Sequence, residues 1–298
     1  TSTGRLDGTS FGNDNISAHL GYTFGDAGNH YIALKAQQHR LSTESWTDPS
    51  VLSATTPSFR IDLPKRDLQK VGLYYDGTDI SDIVRKVHVD TYYQTVDRLF
   101  LNEVVTVPGI FPGSITVATT STDKNVNWGG TAQVDLQFHP DHYTIVGLQY
   151  LADDLTTFKT SRRTSTVAIV PDTYSESLDE ASIHTTSAFA QNEWSFADDF
   201  KLTTGVRYYH TRTDLEYTSD PNRVGYSGTS DGAFVTSAGL TYTGIENTTL
   251  RALFSEGYIT PTLLQLFTDT TPAGQMLYGN PDLKPETSRN FEIGARYN

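Results

Sequence analysis

The sequence predicts an all-β protein, an antiparallel transmembrane β-barrel of which this chain carries about eleven strands. Three observations predict it. Apolar residues recur at every second position over runs of about ten residues, and the connections between runs alternate between short and long. No stretch of eighteen or more apolar residues offers a membrane helix instead.

Composition agrees. The chain holds 17 Tyr and 14 Phe against one Met, and aromatic residues fit a pleated, half-buried surface better than a helix. A mean hydropathy of -0.40 suits strands that are apolar only at alternate positions. The net charge of -13 excludes a phosphate-binding surface, because nucleic-acid affinity rests on Lys and Arg. The absence of Cys removes disulfide frameworks and thiolate metal sites.

The first strand runs over Asn15 to Phe24, where Ile16, Ala18, Leu20, Tyr22 and Phe24 alternate with Ser17, His19, Gly21 and Thr23. The same rhythm returns at Val134 to Phe138, at Leu202 to Tyr208 and at Phe291 to Tyr297. Ile16, Leu20, Leu136, Val206, Ile293 and Tyr297 are expected to face lipid, and His19, Asp135, Arg207 and Arg296 the lumen. Tyr22, Phe24, Phe138, Tyr143, Tyr208 and Tyr242 are expected in the interfacial girdles.

Five connections are tight: Gly25 to Asn29, Asp76 to Asp82, His139 to His142, Phe196 to Asp199 and Gly244 to Asn247. Between them lie polar segments of 16 to 27 residues, at Ser42 to Asp67, Leu99 to Asn125, Lys159 to Ala181, Glu216 to Asp231 and Thr260 to Glu286. Short periplasmic turns and long extracellular loops are the signature of an outer-membrane barrel, whereas a soluble sandwich has no reason to sort them by end. An odd strand count does not close such a barrel, so residues 1–298 are expected to be one section of a larger, 22-stranded barrel. A plug domain before Thr1 and about ten further strands after Asn298 belong to the same expectation.

Two stretches near the C-terminus carry a family resemblance: Phe254-Ser-Glu-Gly-Tyr-Ile-Thr-Pro-Thr262, and Gly279-Asn-Pro-Asp-Leu-Lys-Pro-Glu-Thr-Ser288 followed by Asn290-Phe-Glu-Ile-Gly294. Ala188-Phe-Ala-Gln-Asn-Glu-Trp194, a turn and Leu202-Thr-Thr-Gly-Val-Arg-Tyr208 form a further matching hairpin. Together these resemble the TonB-dependent outer-membrane receptors. Leu63-Pro-Lys-Arg-Asp67 and Tyr92-Tyr-Gln-Thr-Val-Asp-Arg98 are similar to the haem and haemoglobin branch.

The resemblance implies an integral protein of the bacterial outer membrane that takes up an iron chelate, a ferric siderophore or haem, in an energy-coupled manner. It implies as partners the TonB complex acting through the plug, lipid and lipopolysaccharide, and an iron-chelate or haem carrier, with no permanently bound cofactor. The motif positions are Thr260, Pro261, Asn280, Pro281, Asp282, Leu283, Lys284, Pro285 and Glu286. Pro281 and Pro285 cannot donate to a ladder, so this box reads as a rigid connection, and Asn280 and Asp282 suit side-chain-to-backbone turns.

Haem-type relatives carry Ala-Pro in the first box and a His between the boxes; here Thr260 replaces the Ala and no His lies between Ile259 and Asn280. Met276 and Tyr278 are the side chains there with axial-ligand character. A siderophore needs no such ligand, and Tyr258, Gln275, Tyr278, Arg207 and Arg251 are the candidates for contacting one. His39, His184 and His210 lie near the loop ends of strands and keep haem open.

No catalytic constellation and no protein metal site is expected. Gly225-Tyr-Ser-Gly228 misses the spacing of a nucleophile elbow. Asp76-Gly-Thr-Asp-Ile-Ser-Asp82 lacks the Glu that a calcium loop places twelfth, where Val87 stands, and His139-Pro-Asp-His142 reads as an exposed turn. A porin-like or adhesive barrel, and an outer-membrane barrel enzyme, remain the alternatives.

Overall fold

In the computed structural model, which describes residues 8–221, 228–267 and 278–297, eleven strands form one antiparallel meander in sequence order. They are β1 (Phe11–Phe24), β2 (His30–Ser45), β3 (Ser58–Thr78), β4 (Val84–Thr106), β5 (Ile115–His139), β6 (His142–Ser165), β7 (Thr173–Ala197), β8 (Phe200–Thr218), β9 (Thr229–Ile245), β10 (Thr248–Ile259) and β11 (Glu286–Tyr297). One short helix, α1 (Leu263–Phe267), follows β10.

All five short connections fall at one end of the sheet and the five longer ones at the other, as expected. Where the turns demand it the backbone goes left-handed, at Gly25 (φ 91), Gly28 (φ 66), Asp79 (φ 50) and Asn247 (φ 55), the residue types that tolerate this region best.

Four of the five long loops are shorter than the polar composition suggested, while the connection from β10 to β11, residues 260–285, has the expected extent. The segment from Leu99 to Asn125 is mostly the upper part of β4 and β5, and only residues 107–114 lie outside strands. A strand of about ten residues crosses the bilayer, so β5 and β7, with 25 residues each, continue well above it. Polar residues there mark strands standing in water on both faces, and Thr116 to Asp123, rich in β-branched Thr, favours such strands. Pro64 also lies inside β3. It sits where pairing jumps from Asp62↔Leu101 to Lys65↔Leu99, and a bulge of this kind accommodates a residue without an N–H.

Opposed residues of an antiparallel pair share a face, so the register sorts side chains into two sets. His19, Lys35, Gly72, Tyr92, Gly129, Leu151, Thr185 and Thr211 are successive partners on the lumenal side. Ile16, Leu20, Val206, Ile293 and Tyr297 fall on the other side and are exposed, Ile293 at 90%. Exposed apolar side chains on one continuous face are what lipid requires. Asp135 and Arg207 lie on the lumenal side, as expected, and Asp135 is buried.

The girdle expectation needs one correction. Tyr143 faces the lumen, where its hydroxyl donates to Asp135 Oδ2 at 2.7 Å. Its neighbour His142 takes the outer position and stacks on Trp194 at 5.5 Å. Faces alternate residue by residue along β6, so with His142 paired to Trp194 on the outer face Tyr143 turns inward.

Above the membrane, Asp48 heads the 3-10 turn Pro49–Val51 and accepts from the Ser50 N–H at 2.8 Å. That hydrogen bond holds its carboxyl below the ordinary value.

The cysteine-free sequence makes single cysteines clean reporters of this topology. Placed at Ser53, Ile110 or Ile169, a cysteine is expected to react with a membrane-impermeant maleimide on intact cells. Placed at Asp79, Asp141 or Asn247 it should react only once the periplasm is opened, and equal labelling of both sets would overturn the arrangement. Val206→Arg, on the lipid face, should destabilise the protein by about 2–4 kcal/mol in urea unfolding, with a much smaller loss for the lumenal Thr203→Arg.

Candidate functional site

Toward its loop end the lumenal wall carries a cluster of buried apolar side chains. Val96, Asn125, Leu155, Ala181 and Leu215 form a row across β4 to β8, and Leu155, Ala181 and Leu215 with Ile183 make an apolar island. Onto it fold Leu263, Leu266 and Phe267 of α1, each about 4% exposed. The connection after β10 therefore turns inward onto the barrel wall.

Local chemistry explains why a helix of five residues forms there. Thr262 Oγ1 accepts from the Gln265 N–H at 3.3 Å, and Gln265 Oε1 accepts from the Thr262 N–H at 2.9 Å. This is a reciprocal capping box, Thr-x-x-Gln. Leucine and phenylalanine then point to the island because they are spaced at three and four residues.

The second box closes on the first. The Asn280 N–H donates to the Gln265 carbonyl at 2.9 Å, and Asn280 Oδ1 accepts from the Asp282 N–H at 3.0 Å, the side-chain turn its sequence suggested. Glu286 opens β11 opposite Ile259. Between the boxes and the wall lies a cavity of about 600 Å³, lined by Tyr258, Thr260, Pro261 and Leu266 on one side and by Pro281, Asp282, Leu283, Lys284 and Pro285 on another. Thr211, Thr213 and Asp231 form its wall. Such a volume takes a small ligand.

A column of aromatic and cationic groups descends from this cavity. Tyr258 stacks on Tyr209 with ring centroids 5.5 Å apart, and its hydroxyl donates to Asp231 Oδ2 at 3.4 Å. The Arg207 guanidinium lies 4.9 Å from the Tyr209 ring and 5.1 Å from the Phe189 ring. Phe189 lies flat across Gly147, its register partner, where a Cβ would collide with the ring. Arg207 also donates to Ser187 Oγ at 2.8 Å and to Gln149 Oε1.

The structure brings together Tyr258, Arg207 and the motif residues of both boxes. Tyr278 is 74% exposed and is not among the residues that line the cavity. Arg251 is lumenal, opposite Thr241 and Gly294, but seven residues below Tyr258, about 24 Å along the strand. Gln275 and Met276 lie outside the described residues. His184 and His210 fall on the outer face, His184 bonded to the Tyr150 hydroxyl at 2.9 Å, whereas His39 is lumenal.

Sequence reasoning passed over α1 and the Phe189, Tyr209 and Asp231 positions. The capping box Thr262-Leu-Leu-Gln265 was the available signal for the helix. The rest depends on register, which no local pattern reports.

A family model described as TonB dependent receptor-like, beta-barrel, matches residues 2–298. The chain is 34% identical over 117 residues to the iron-regulated outer membrane virulence protein of Vibrio cholerae serotype O1, covering 37% of this chain and 15% of that protein. Among solved structures it is similar to the copper transporter OprC, at a TM-score of 0.71 and 17% identity, over 98% of this chain and 43% of that one. It is also similar to the ferric-catecholate import receptor Fiu of E. coli K12, at a TM-score of 0.65 and 15% identity, over 96% of this chain and 49% of that one. A third neighbour is the Serratia marcescens hemophore receptor HasR in complex with HasA and heme, at a TM-score of 0.55 and 15% identity, over 95% of this chain and 42% of that one. The chain thus spans under half the length of each of these solved receptors.

Removing the side chains that seat α1 should free it without dismantling the barrel. Leu266→Ala or Phe267→Ala is expected to lower the local opening free energy of residues 262–267 by about 2–4 kcal/mol. Faster hydrogen exchange at the Leu266 amide, which bonds Thr262 O at 3.0 Å, measures it.

Proposed function

Because this chain belongs to the TonB-dependent receptor β-barrel family, we propose that it forms part of an energy-coupled outer-membrane importer of an iron chelate, a ferric siderophore ahead of haem. The observation that carries this reading is the cavity of about 600 Å³ between the two boxes. It lies at the loop end of the lumen, on the side from which an extracellular ligand arrives. Its walls combine a tyrosine, threonine hydroxyls and both signs of charge, a mixture that suits a polar chelate whose iron is already coordinated.

Two of the four lines of support come from relatives. The Vibrio cholerae protein is iron-regulated by name, and Fiu imports ferric catecholates by its title. The other two are internal. A coordinated chelate needs contacts rather than an iron ligand, and His184 and His210 face away from the lumen. Haem is the second reading, favoured by lumenal His39 and by the heme-bound HasR complex among the neighbours. The partners in this reading are the TonB complex, outer-membrane lipid with lipopolysaccharide, and a carrier of the chelate. Catalysis has no part in it, and no resident cofactor is required.

Titration of the complete receptor with ferric siderophores and with haem tests the reading. Saturable siderophore binding that weakens in Tyr258→Ala is expected. Haem binding lost in His39→Ala, or in variants of Met276 or Tyr278, would reverse the order, and binding of neither class would remove the iron assignment.

A further inference from the structure

The lipid face of β1 to β4 is not uniform. Leu20, Leu34 and Leu73 are successive register partners and all exposed, so near the short turns this face is a ridge of leucine. Two residues nearer the loops the same row reads Ala18, Ala36, Val71 and Tyr93. The two alanines leave a groove of about 450 Å³ on the outer surface, walled by Ile16, Val71 and Tyr93. Its upper rim is polar, formed by Gln38, Gln69 and Thr95.

Strand length sets the height of that rim. A strand of about ten residues crosses the bilayer, and counted from the short turn Gln38 is the ninth residue of β2 and Arg40 the eleventh. The groove therefore opens where the hydrocarbon of the extracellular leaflet gives way to head groups, with its apolar floor below and its amides above.

Arg40 is an exposed outer-face residue just above the rim. Cations elsewhere on this face are neutralised, Arg212 by Asp214 at 2.7 Å and Lys65 by Asp97 at 3.6 Å. Arg40 stands between Asp14 and Asp67 in register, yet among the described residues it forms no ion pair, and Asp67 faces Lys65 instead, at 4.0 Å. Its guanidinium turns down toward the groove, where the Gln38 side-chain oxygen accepts from Nε at 3.2 Å and from Nη2 at 2.9 Å. A neutral partner fixes the group without cancelling its charge.

We propose that this groove seats one acyl chain of lipopolysaccharide, with a phosphate of its lipid A head on Arg40 and the sugar against the amide rim. This rests on the outer-membrane placement of the barrel and not on the nature of the imported ligand. Lipid A carries its chains and its phosphates on one disaccharide, so chain, hydroxyls and phosphate lie within reach of one another, in the order that floor, rim and Arg40 present. Guanidinium is suited to phosphate because it donates in a planar fork. Bulk lipid tails are as apolar as a groove, so the groove alone discriminates little and the head-group contact supplies the preference.

The test uses the complete receptor, stripped of lipid in detergent, and three probes: diphosphoryl lipid A, its dephosphorylated form and phosphatidylglycerol. Native mass spectrometry reads how much of each stays bound. Wild type is expected to retain one diphosphoryl lipid A in preference to the other two. Arg40→Gln should weaken that retention about 10-fold, to the level of the dephosphorylated probe, and Arg212→Gln should leave it unchanged. Ala36→Phe, which fills the groove and keeps the charge, should also weaken it, and serves if Arg40→Gln does not fold, as judged by heat-modifiable gel migration. Equal retention of all three probes by wild type overturns the proposal, as does an equal effect of Arg40→Gln and Arg212→Gln, or no effect of Ala36→Phe. Siderophore and haem titrations of the same variants should match wild type, so a receptor that binds neither removes the iron reading and leaves the lipid result to stand or fall by itself.

Discussion

Hydrocarbon offers no hydrogen-bond partner, so an unpaired N–H or C=O within it costs several kcal/mol. That constraint governs this chain. Each internal strand pairs on both sides with its neighbours in sequence, from β1 to β11 without a crossover. A meander is the arrangement that supplies every backbone partner from the adjacent hairpin, and it explains the two-residue turns Pro140-Asp141, Asp198-Asp199 and Glu246-Asn247. Those turns leave little unpaired backbone at the periplasmic edge. The loops can be long because they stand in water.

Once the ladder is fixed, side chains have two faces and two solvents. The outer face meets lipid, and near the short turns it carries a continuous aromatic series. His142 stacks on Trp194 at 5.5 Å, Trp194 contacts Phe196 at 5.5 Å, Phe196 contacts Phe200 at 5.6 Å, and Phe200 contacts Tyr242 at 4.6 Å. Rings with a polar edge are stable where hydrocarbon gives way to headgroups. The inner face solves a different problem. There Arg98, Asp123, Asn125, Asp153, Asp135 and Tyr143 satisfy one another across strands, since polar groups withdrawn from water must be paired.

What the sequence revealed follows from these rules. Period-two alternation in β1, β8 and β11 is written by the lipid boundary, so the apolar face of those strands was legible residue by residue. Above the membrane the rule lapses, because both faces are wet, and the upper halves of β4 to β7 look like loops to any reading based on hydrophobic pattern. Pro64 lies in the polar segment Ser42 to Asp67, and a bulge accommodates it within β3. The box around Pro281 and Pro285 was legible as a rigid connection, and the one around Pro261 as a motif of the family it resembles. That they enclose a cavity was not, since it depends on Leu155, Ala181 and Leu215 lying in one row, and register across β6 to β8 is set by pairings far apart in sequence. Arg207 was visible as an inward arginine, but the bracing rings became apparent only from the same register.

The apolar island has a consequence for how the loop end behaves. A single helical turn is unstable by itself, since nucleation fixes several residues for one hydrogen bond, so α1 exists because Leu263, Leu266 and Phe267 gain burial on the wall. Its position in turn sets that of Asn280, bonded to Gln265, and so the shape of the second box. The geometry of the cavity is therefore determined by wall residues roughly 50 to 110 positions upstream as much as by the boxes themselves. A molecule occupying the cavity touches Tyr258, Pro261 and Leu266 together, and through Leu266 it bears directly on the contact that holds the helix to the barrel.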